Sequence, residues 1–122
     1  MNDIENFRRI ERTAGVNYPA AFFGNFESLS VIYESAGFRK IFQNIHFCSA
    51  PEAGAAMGGA LPEGFLPFMV EPSQGNVDYY CFDNSGGGEN GRVVVFSDHA
   101  VVYEWESFGV FLSWVKSKAG LS

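Results

Sequence analysis

Apolar and polar positions are organised most clearly in the C-terminal half, where three short runs rich in β-branched and aromatic residues lie close together. These runs predict β-strands at Val77–Phe82, Arg92–Phe96 and Val101–Trp105. The links between them are too short for crossovers and predict antiparallel hairpins. From near Ser107, apolar residues recur three and four positions apart, which predicts an amphipathic helix. We expect the apolar stripe of this helix to be buried against the sheet, together with an N-terminal aromatic residue, Phe7 or Phe22. The stripe consists of Phe108, Phe111, Leu112 and Val115.

The N-terminal third of the chain has apolar residues at helical spacing. A first helix is predicted to end at Gly15. A second helix is predicted to begin at Tyr18-Pro19, because proline suits the first helical turn. Gly24 weakens its middle, and Gly37 is a candidate for its end. The apolar face of this second helix consists of Phe22, Phe26, Leu29 and Tyr33.

The segment that follows is ambiguous, because residues 38–47 fit both a helical and a strand period. We place a strand at Ile45–Cys48, because the capping-box spacing of Ser49–Glu52 follows directly. That box predicts a short helix at Ala50–Met57, stopped by Gly58-Gly59.

One more strand is predicted at Phe65–Val70, and Pro67 within it indicates an edge, a bulge or a break. Residues 84–91 are polar and glycine-rich and predict a hairpin loop. The fold class is therefore α+β, with a mainly antiparallel sheet of about four to six strands. N-terminal and C-terminal helices are expected to pack against this sheet. A length of 122 residues predicts a single domain, residues 1–122.

Charge and cysteine usage narrow the function classes. The net charge of −6 argues against direct nucleic-acid binding, which depends on clustered Lys and Arg. An acidic surface instead suits solubility or attraction to a basic protein. The N-terminus has no signal-like apolar segment and no run is long enough to span a membrane, so a cytoplasmic location is expected. Cys48 and Cys81 are then predicted to be reduced core residues rather than a disulfide.

Motifs with catalytic or metal-binding potential are weak. Ser97-Asp98-His99 contains the residue types of a hydrolytic triad, but three neighbours in a turn are better explained by local hydrogen bonding. His46, His99, Cys48 and Cys81 lack the paired spacing of a zinc site, and Gly86-Gly87-Gly88 lacks the Lys-Ser/Thr of a phosphate-binding loop. We therefore predict no metal, no cofactor and no catalytic residues.

Carboxylates and aromatic residues in or beside the predicted sheet are candidates for partner binding. The carboxylates could form an acidic recognition patch or a pair for acid–base chemistry, whereas a solvated outer face needs no function. The predicted partner-binding carboxylates are Asp78, Asp83, Glu104 and Glu106. Aromatic residues dominate interface hot spots, although most must be core in a chain this aromatic. The aromatic candidates are Tyr79, Tyr80, Tyr103 and Trp105.

The order of motifs along the chain resembles the SUKH superfamily, which includes a fungal regulator of cell-wall synthesis and bacterial immunity proteins. Tyr18–Phe23 resembles the family's Leu-Pro-x-x-Tyr/Phe opening, with tyrosine in place of the usual leucine. Gly64–Phe68 resembles its Gly-x-Ile-Pro-Phe segment. The family's C-terminal series is matched by Gly75, Asn76, Asp78, Phe82, Asp83, Val93 to Phe96, His99, Ser107, Phe108, Phe111 and Leu112.

The resemblance implies a non-catalytic α+β protein that binds a protein partner through its sheet and loops. In bacterial members the partner is often a toxin domain, frequently a nuclease, so the expected role is that of an immunity protein. The resemblance carries over no partner-contact residue. A regulatory scaffold, or a small hydrolase that uses the sheet carboxylates or His99, remains the alternative.

Overall fold

The computed structural model describes residues 3–84 and 92–121. Within these ranges, five strands form one antiparallel sheet in which spatial order follows chain order. The strands are β1 (His46–Phe47), β2 (Phe65–Ser73), β3 (Asn76–Asp83), β4 (Val93–Ser97) and β5 (Ala100–Trp105). The α+β class and the predicted meander are confirmed. Most of the predicted loop at residues 84–91 lies outside the described residues.

Helices precede, interrupt and follow the sheet. They are α1 (Asp3–Ala14), α2 (Ala20–Gly24), α3 (Phe26–Glu34), α4 (Ala36–Ile41), α5 (Ala50–Ala55) and α6 (Phe108–Lys118). The helix α5 is continued by a π-helical turn at Ala56–Ala60. The predicted capping box is present, since the Ser49 and Glu52 side chains each accept a hydrogen bond from the other residue's backbone N–H.

The β4–β5 and β2–β3 hairpins each turn at residues with positive φ. The β4–β5 turn places Asp98 at φ 49° and His99 at φ 68°, and Ser97 pairs with Ala100 across it. Two central residues with positive φ make a tight turn whose twist suits a hairpin. In the β2–β3 turn, Gly75 takes a φ of 72° without the cost that a side chain would add. The register of β2 against β3 shifts between Pro67 and Met69, which confirms a bulge at the predicted proline.

The main core lies between one face of the sheet and helices from both ends of the chain. Phe68 and Phe82 stack across β2 and β3, with ring centroids 4.7 Å apart. Phe111 from α6 packs edge-on against Phe68, and Phe22 from α2 packs against it with a tilted ring. The predicted core residues Phe108, Phe111 and Val115 are buried, as are both Phe7 and Phe22, whereas Leu112 is only half-buried.

A smaller apolar cluster covers the opposite face of the sheet. Alternation along β3 and β4 turns Cys81 and Val94 away from the main core. They are buried under the π-helical turn together with Ala56, Leu61 and Phe96. The Leu61 N–H donates to the Ala56 carbonyl oxygen five residues earlier, at 2.9 Å. With this bond the helical backbone continues through Gly58-Gly59 as a π-helical turn, so the predicted end of the helix at those glycines is wrong.

The prediction of one long second helix is also wrong. The chain breaks at Asn25 and forms α2 and α3 instead of one helix. Ser35 then adopts an extended backbone and its hydroxyl accepts a hydrogen bond from the Phe38 N–H at 3.2 Å. This N-cap ends α3 and starts α4, so Gly37 lies inside a helix rather than at its end. The ambiguous residues 38–41 are helical.

Candidate protein-binding surfaces

Two of the predicted partner-binding carboxylates, Asp83 and Glu104, share one arginine. Arg92 immediately precedes β4, and its Nη1 and Nη2 atoms donate to the carboxylates of Asp83 and Glu104 respectively. The Asp83 side chain is 9% exposed and the Glu104 side chain 58% exposed. Of this pair, Glu104 therefore offers the more accessible negative charge to a partner.

Asp78 lies at the other end of β3, five strand residues from Asp83, or about 16 Å. It pairs in register with Glu71 on β2. Burial and the charge of Asp78 raise the pKa of Glu71, while a hydrogen bond from the Tyr80 hydroxyl at 3.4 Å opposes this rise. Glu106 is exposed between β5 and α6. The structure thus joins Asp83 and Glu104 through Arg92, places Asp78 beside Glu71 instead, and leaves Glu106 exposed two residues beyond Glu104.

The Ser97-Asp98-His99 segment forms a hairpin turn, as predicted. The Ser97 hydroxyl accepts a hydrogen bond from the Asn76 side-chain amide at 2.8 Å, which ties the turn to the start of β3. Asp98 and His99 are exposed and line an open cleft of about 350 Å³ with Tyr79 and other residues. The positive φ values and the Asn76 contact give the segment a structural role in the hairpin.

The two cysteines are free and buried, which confirms their predicted core placement. Burial raises the pKa of the Cys48 thiol to about 12, with a further contribution from the nearby Glu52 carboxylate. Burial also raises the pKa of Cys81 well above its ordinary value. Both sulfurs therefore stay protonated near neutral pH, and a thiol is a poor nucleophile and a poor metal ligand.

His46 interacts with α5 rather than with a metal-ligand set. Its Nε2 lies 2.9 Å from Glu52 Oε2, while Oε1 of the same carboxylate accepts the Ser49 N–H of the capping box. Among residues 3–84 and 92–121, no group of three or more His, Cys, Asp or Glu side chains could hold a metal ion.

The aromatic candidates separate into buried and exposed residues. Tyr80 and Trp105 are 7% and 6% exposed and belong to the main core, and Tyr79 is half-buried. Tyr103 is 52% exposed, and its ring centroid lies 5.9 Å from that of Trp114 on α6. Tyr103 is therefore the one member of this set with a largely accessible ring.

The strand β5 is an edge of the sheet, because within the described chain it pairs only with β4. Val101, Val102 and Tyr103 are 43%, 58% and 52% exposed along it. An edge strand carries a row of backbone N–H and C=O groups that can pair with another chain. The opposite edge, β1, is only two residues long. The exposed apolar part of the sheet is thus concentrated at β5.

The binding residues predicted from the sequence do not include this edge surface as a whole. They include Tyr103 but not Val101, Val102 or Trp114. The available signal was the consecutive Val101-Val102-Tyr103 run, which departs from the alternation expected of a strand with one solvated face. That run alone cannot show which strand lies at the edge.

An antiparallel meander covered by helices from both chain ends defines an α+β domain. The profile of the SMI1 / KNR4 family (SUKH-1) matches residues 3–114. The chain belongs to this family, which confirms the resemblance noted from its motifs. No curated protein and no solved structure matches the chain.

Helix lengths also bear on membrane association. Within the part of the chain that the structure describes, no helix has both the length and the apolar character needed to cross a bilayer.

Proposed function

We propose that this protein is a non-catalytic binding module that acts in the cytoplasm as an immunity protein against a protein toxin. The observation that carries the proposal is the family match over residues 3–114, since membership of the SUKH-1 family fits an immunity or regulatory module. The net charge of −6 supports a basic partner, such as a nuclease domain.

Side-chain environments support binding over catalysis. The Ser97 hydroxyl is held by Asn76, and the raised pKa of Cys48 keeps its thiol protonated. The carboxylates Asp83 and Glu104 are both bridged by Arg92, so each is engaged in an ion pair within the sheet. In contrast, the exposed Val102 and Tyr103 offer the kind of apolar and aromatic contact that stabilises protein interfaces.

The test is protection of cells. Candidate toxin domains encoded beside this gene are expressed with and without the protein, and growth is measured together with affinity capture of the complex. Rescue of growth and a stable complex with one toxin domain are expected. Failure to rescue growth from any neighbouring toxin would contradict the immunity role, and capture of a non-toxic partner would favour a regulatory scaffold.

A catalytic role predicts a different result. If the purified protein turns over a substrate and a His99→Ala variant does not, the protein is an enzyme. The binding role instead predicts that His99→Ala retains protection.

A further inference from the structure

The outer edge of β5 is the longest unpaired strand edge in the described chain. It has six residues, Ala100–Trp105, against two in the opposite edge strand β1. Natural edge strands are commonly protected by lysine, proline or short length. Ala100–Trp105 contains no lysine and no proline. Its one irregularity is a bulge: Val95 pairs with Tyr103 and Phe96 with Val101, so Val102 is the extra residue on β5. A bulge twists an edge strand locally, and here it affects one position of the six.

An aromatic group lies beside this edge on the helix-covered face of the sheet. The rings of Tyr103 and Trp105 are 4.7 Å apart, and Trp114 of α6 lies 5.0 Å from Trp105. Phe42 continues the group, 6.0 Å from Trp114. Tyr103 is half-exposed and Trp114 is partly buried, so a strand laid along β5 would cover both rings.

The other face of the same edge is acidic. Alternation along β5 directs Glu104 away from Tyr103 and Trp105. From Val93 to Val115 the chain contains the carboxylates Asp98, Glu104 and Glu106 but no lysine or arginine. The adjacent Arg92 is occupied by Asp83 and Glu104. Two carboxylates on one guanidinium leave the Glu104 side of the edge with a net negative charge. A lysine, Lys118, does lie beside the aromatic group, with its Nζ 5.8 Å from the Trp114 ring.

We propose that the outer edge of β5, with Tyr103 and Trp114 on one side and Glu104 on the other, is the docking surface for an extended basic strand of the protein partner. The backbone of that strand would pair with β5 as a sixth strand of the sheet. Because strand side chains alternate, its apolar residues would cover Tyr103 and its Lys or Arg residues would face Glu104.

This surface rests on the proposed function for its biological partner, but its chemistry can be tested without that partner. A library of random ten-residue peptides is selected for binding to the wild-type protein. The expected binders alternate Lys or Arg with β-branched or aromatic residues. Selection of peptides without this alternation would overturn the proposal.

The decisive variant is Val102→Lys, which places a lysine on the 58% exposed edge position. Its matched control is Val31→Lys on α3, which makes the same change at a 62% exposed position. Val102→Lys is expected to weaken binding of the selected peptides about tenfold or more, as for loss of an interface hot spot, and Val31→Lys to leave it unchanged. Equal effects of both variants, or none, would overturn the proposal.

Two further measurements separate the other outcomes. Hydrogen exchange of the β5 amides should slow when a selected peptide binds, and unchanged exchange there would contradict strand addition. Sedimentation should show a monomer; a dimer that Val102→Lys dissociates would assign the edge to a second copy of this chain instead.

If the wild-type protein and Val102→Lys protect cells equally from a toxin, the immunity role stands and this docking surface is wrong. If no toxin is neutralised, the immunity role fails and the peptide measurements still decide the surface.

Discussion

Gly37 of α4 lies directly against the backbone carbonyl of Ala119 at the end of α6. A Cβ atom at Gly37 would lie 1.9 Å from the Ala119 oxygen. No side chain fits at that separation without movement of one backbone. The glycine thus permits the close approach of two helices that are distant in sequence.

Gly37→Ala should therefore destabilise the fold by about 1 to 3 kcal/mol, the usual cost of overpacking a well-packed contact. The measurement is the free energy of unfolding in urea. The matched control is Gly54→Ala in α5, where a Cβ meets nothing within 4 Å. That control should stabilise the protein by up to about 1 kcal/mol, because alanine is the better helix former. A neutral Gly37→Ala would mean that α4 and α6 are not in this contact.

Phe111 anchors α6 in the main core. It is fully buried and packs edge-on against Phe68 and Trp105, with centroids 5.6 Å and 4.9 Å away. Phe111→Ala should cost about 3 to 5 kcal/mol of unfolding free energy, because it loses transfer energy and leaves a cavity. Val110→Ala, at the adjacent 43% exposed position, is the control and should change stability far less. An unchanged melting temperature for Phe111→Ala would place the residue on the surface.

The pairing of Glu71 with Asp78 predicts a pH-dependent effect on stability. Burial and the charge of Asp78 raise the pKa of Glu71 in the folded protein. A raised carboxyl pKa contributes stability below the unfolded value of about 4.3, and this contribution is lost as pH rises through the folded value. Glu71→Gln should therefore raise the urea midpoint at pH 7 and change it little at about pH 3.5.

The control for this prediction is Glu63→Gln, which removes a carboxylate from an exposed position before β2. For Glu63→Gln, the difference between the urea midpoint at pH 7 and the urea midpoint at about pH 3.5 should be the same as for the wild-type protein. A Glu71→Gln variant that is less stable at pH 7 would show that the negative charge of Glu71 is favourable in the fold.

Charge reversal should affect partner association according to position. The double variant Glu104→Lys and Glu106→Lys is expected to slow association with the neutralised toxin several-fold at low salt. The effect should fade at high salt, because screening acts over about 8 Å at physiological ionic strength. Association rates are measured by stopped-flow fluorescence at both salt concentrations.

The double variant Glu27→Lys and Glu34→Lys makes the same change in net charge on α3, where both residues are exposed. It is expected to have a smaller effect. If the two double variants slow association equally, net charge rather than a local patch steers the partner.

The elements that the sequence predicts best are those with complete local signals. The capping box at Ser49–Glu52 and the N-cap at Ser107 each satisfy helix-end groups with side chains a few residues away. The β4–β5 hairpin follows from strands on either side of a turn formed by Asp98 and His99. In these cases the information that decides the structure is contained in fewer than about ten residues.

The predicted helix ends were wrong at two places where a glycine signal competed with another interaction. Gly37 is a plausible helix end by composition, but Ser35 provides the N-cap that starts a new helix before it. Gly58-Gly59 are typical helix terminators, yet burial of Leu61 beside Cys81 and Val94 favours continuation through a π-helical turn. A local cap therefore decides the first boundary, and tertiary packing outweighs the intrinsic preference of glycine at the second.

The amino-acid sequence by itself determined the fold class, the order of the last three strands and the burial of the Phe111 stripe, because hydrophobic periodicity and turn chemistry act over short distances. It also determined the family through the order of its motifs. Only the tertiary structure decided that Asp83 and Glu104 meet at Arg92, that Asp78 faces Glu71, and that β5 is the exposed edge. These relationships join residues on different strands. Their proximity depends on strand register and order, which no single segment of the chain encodes.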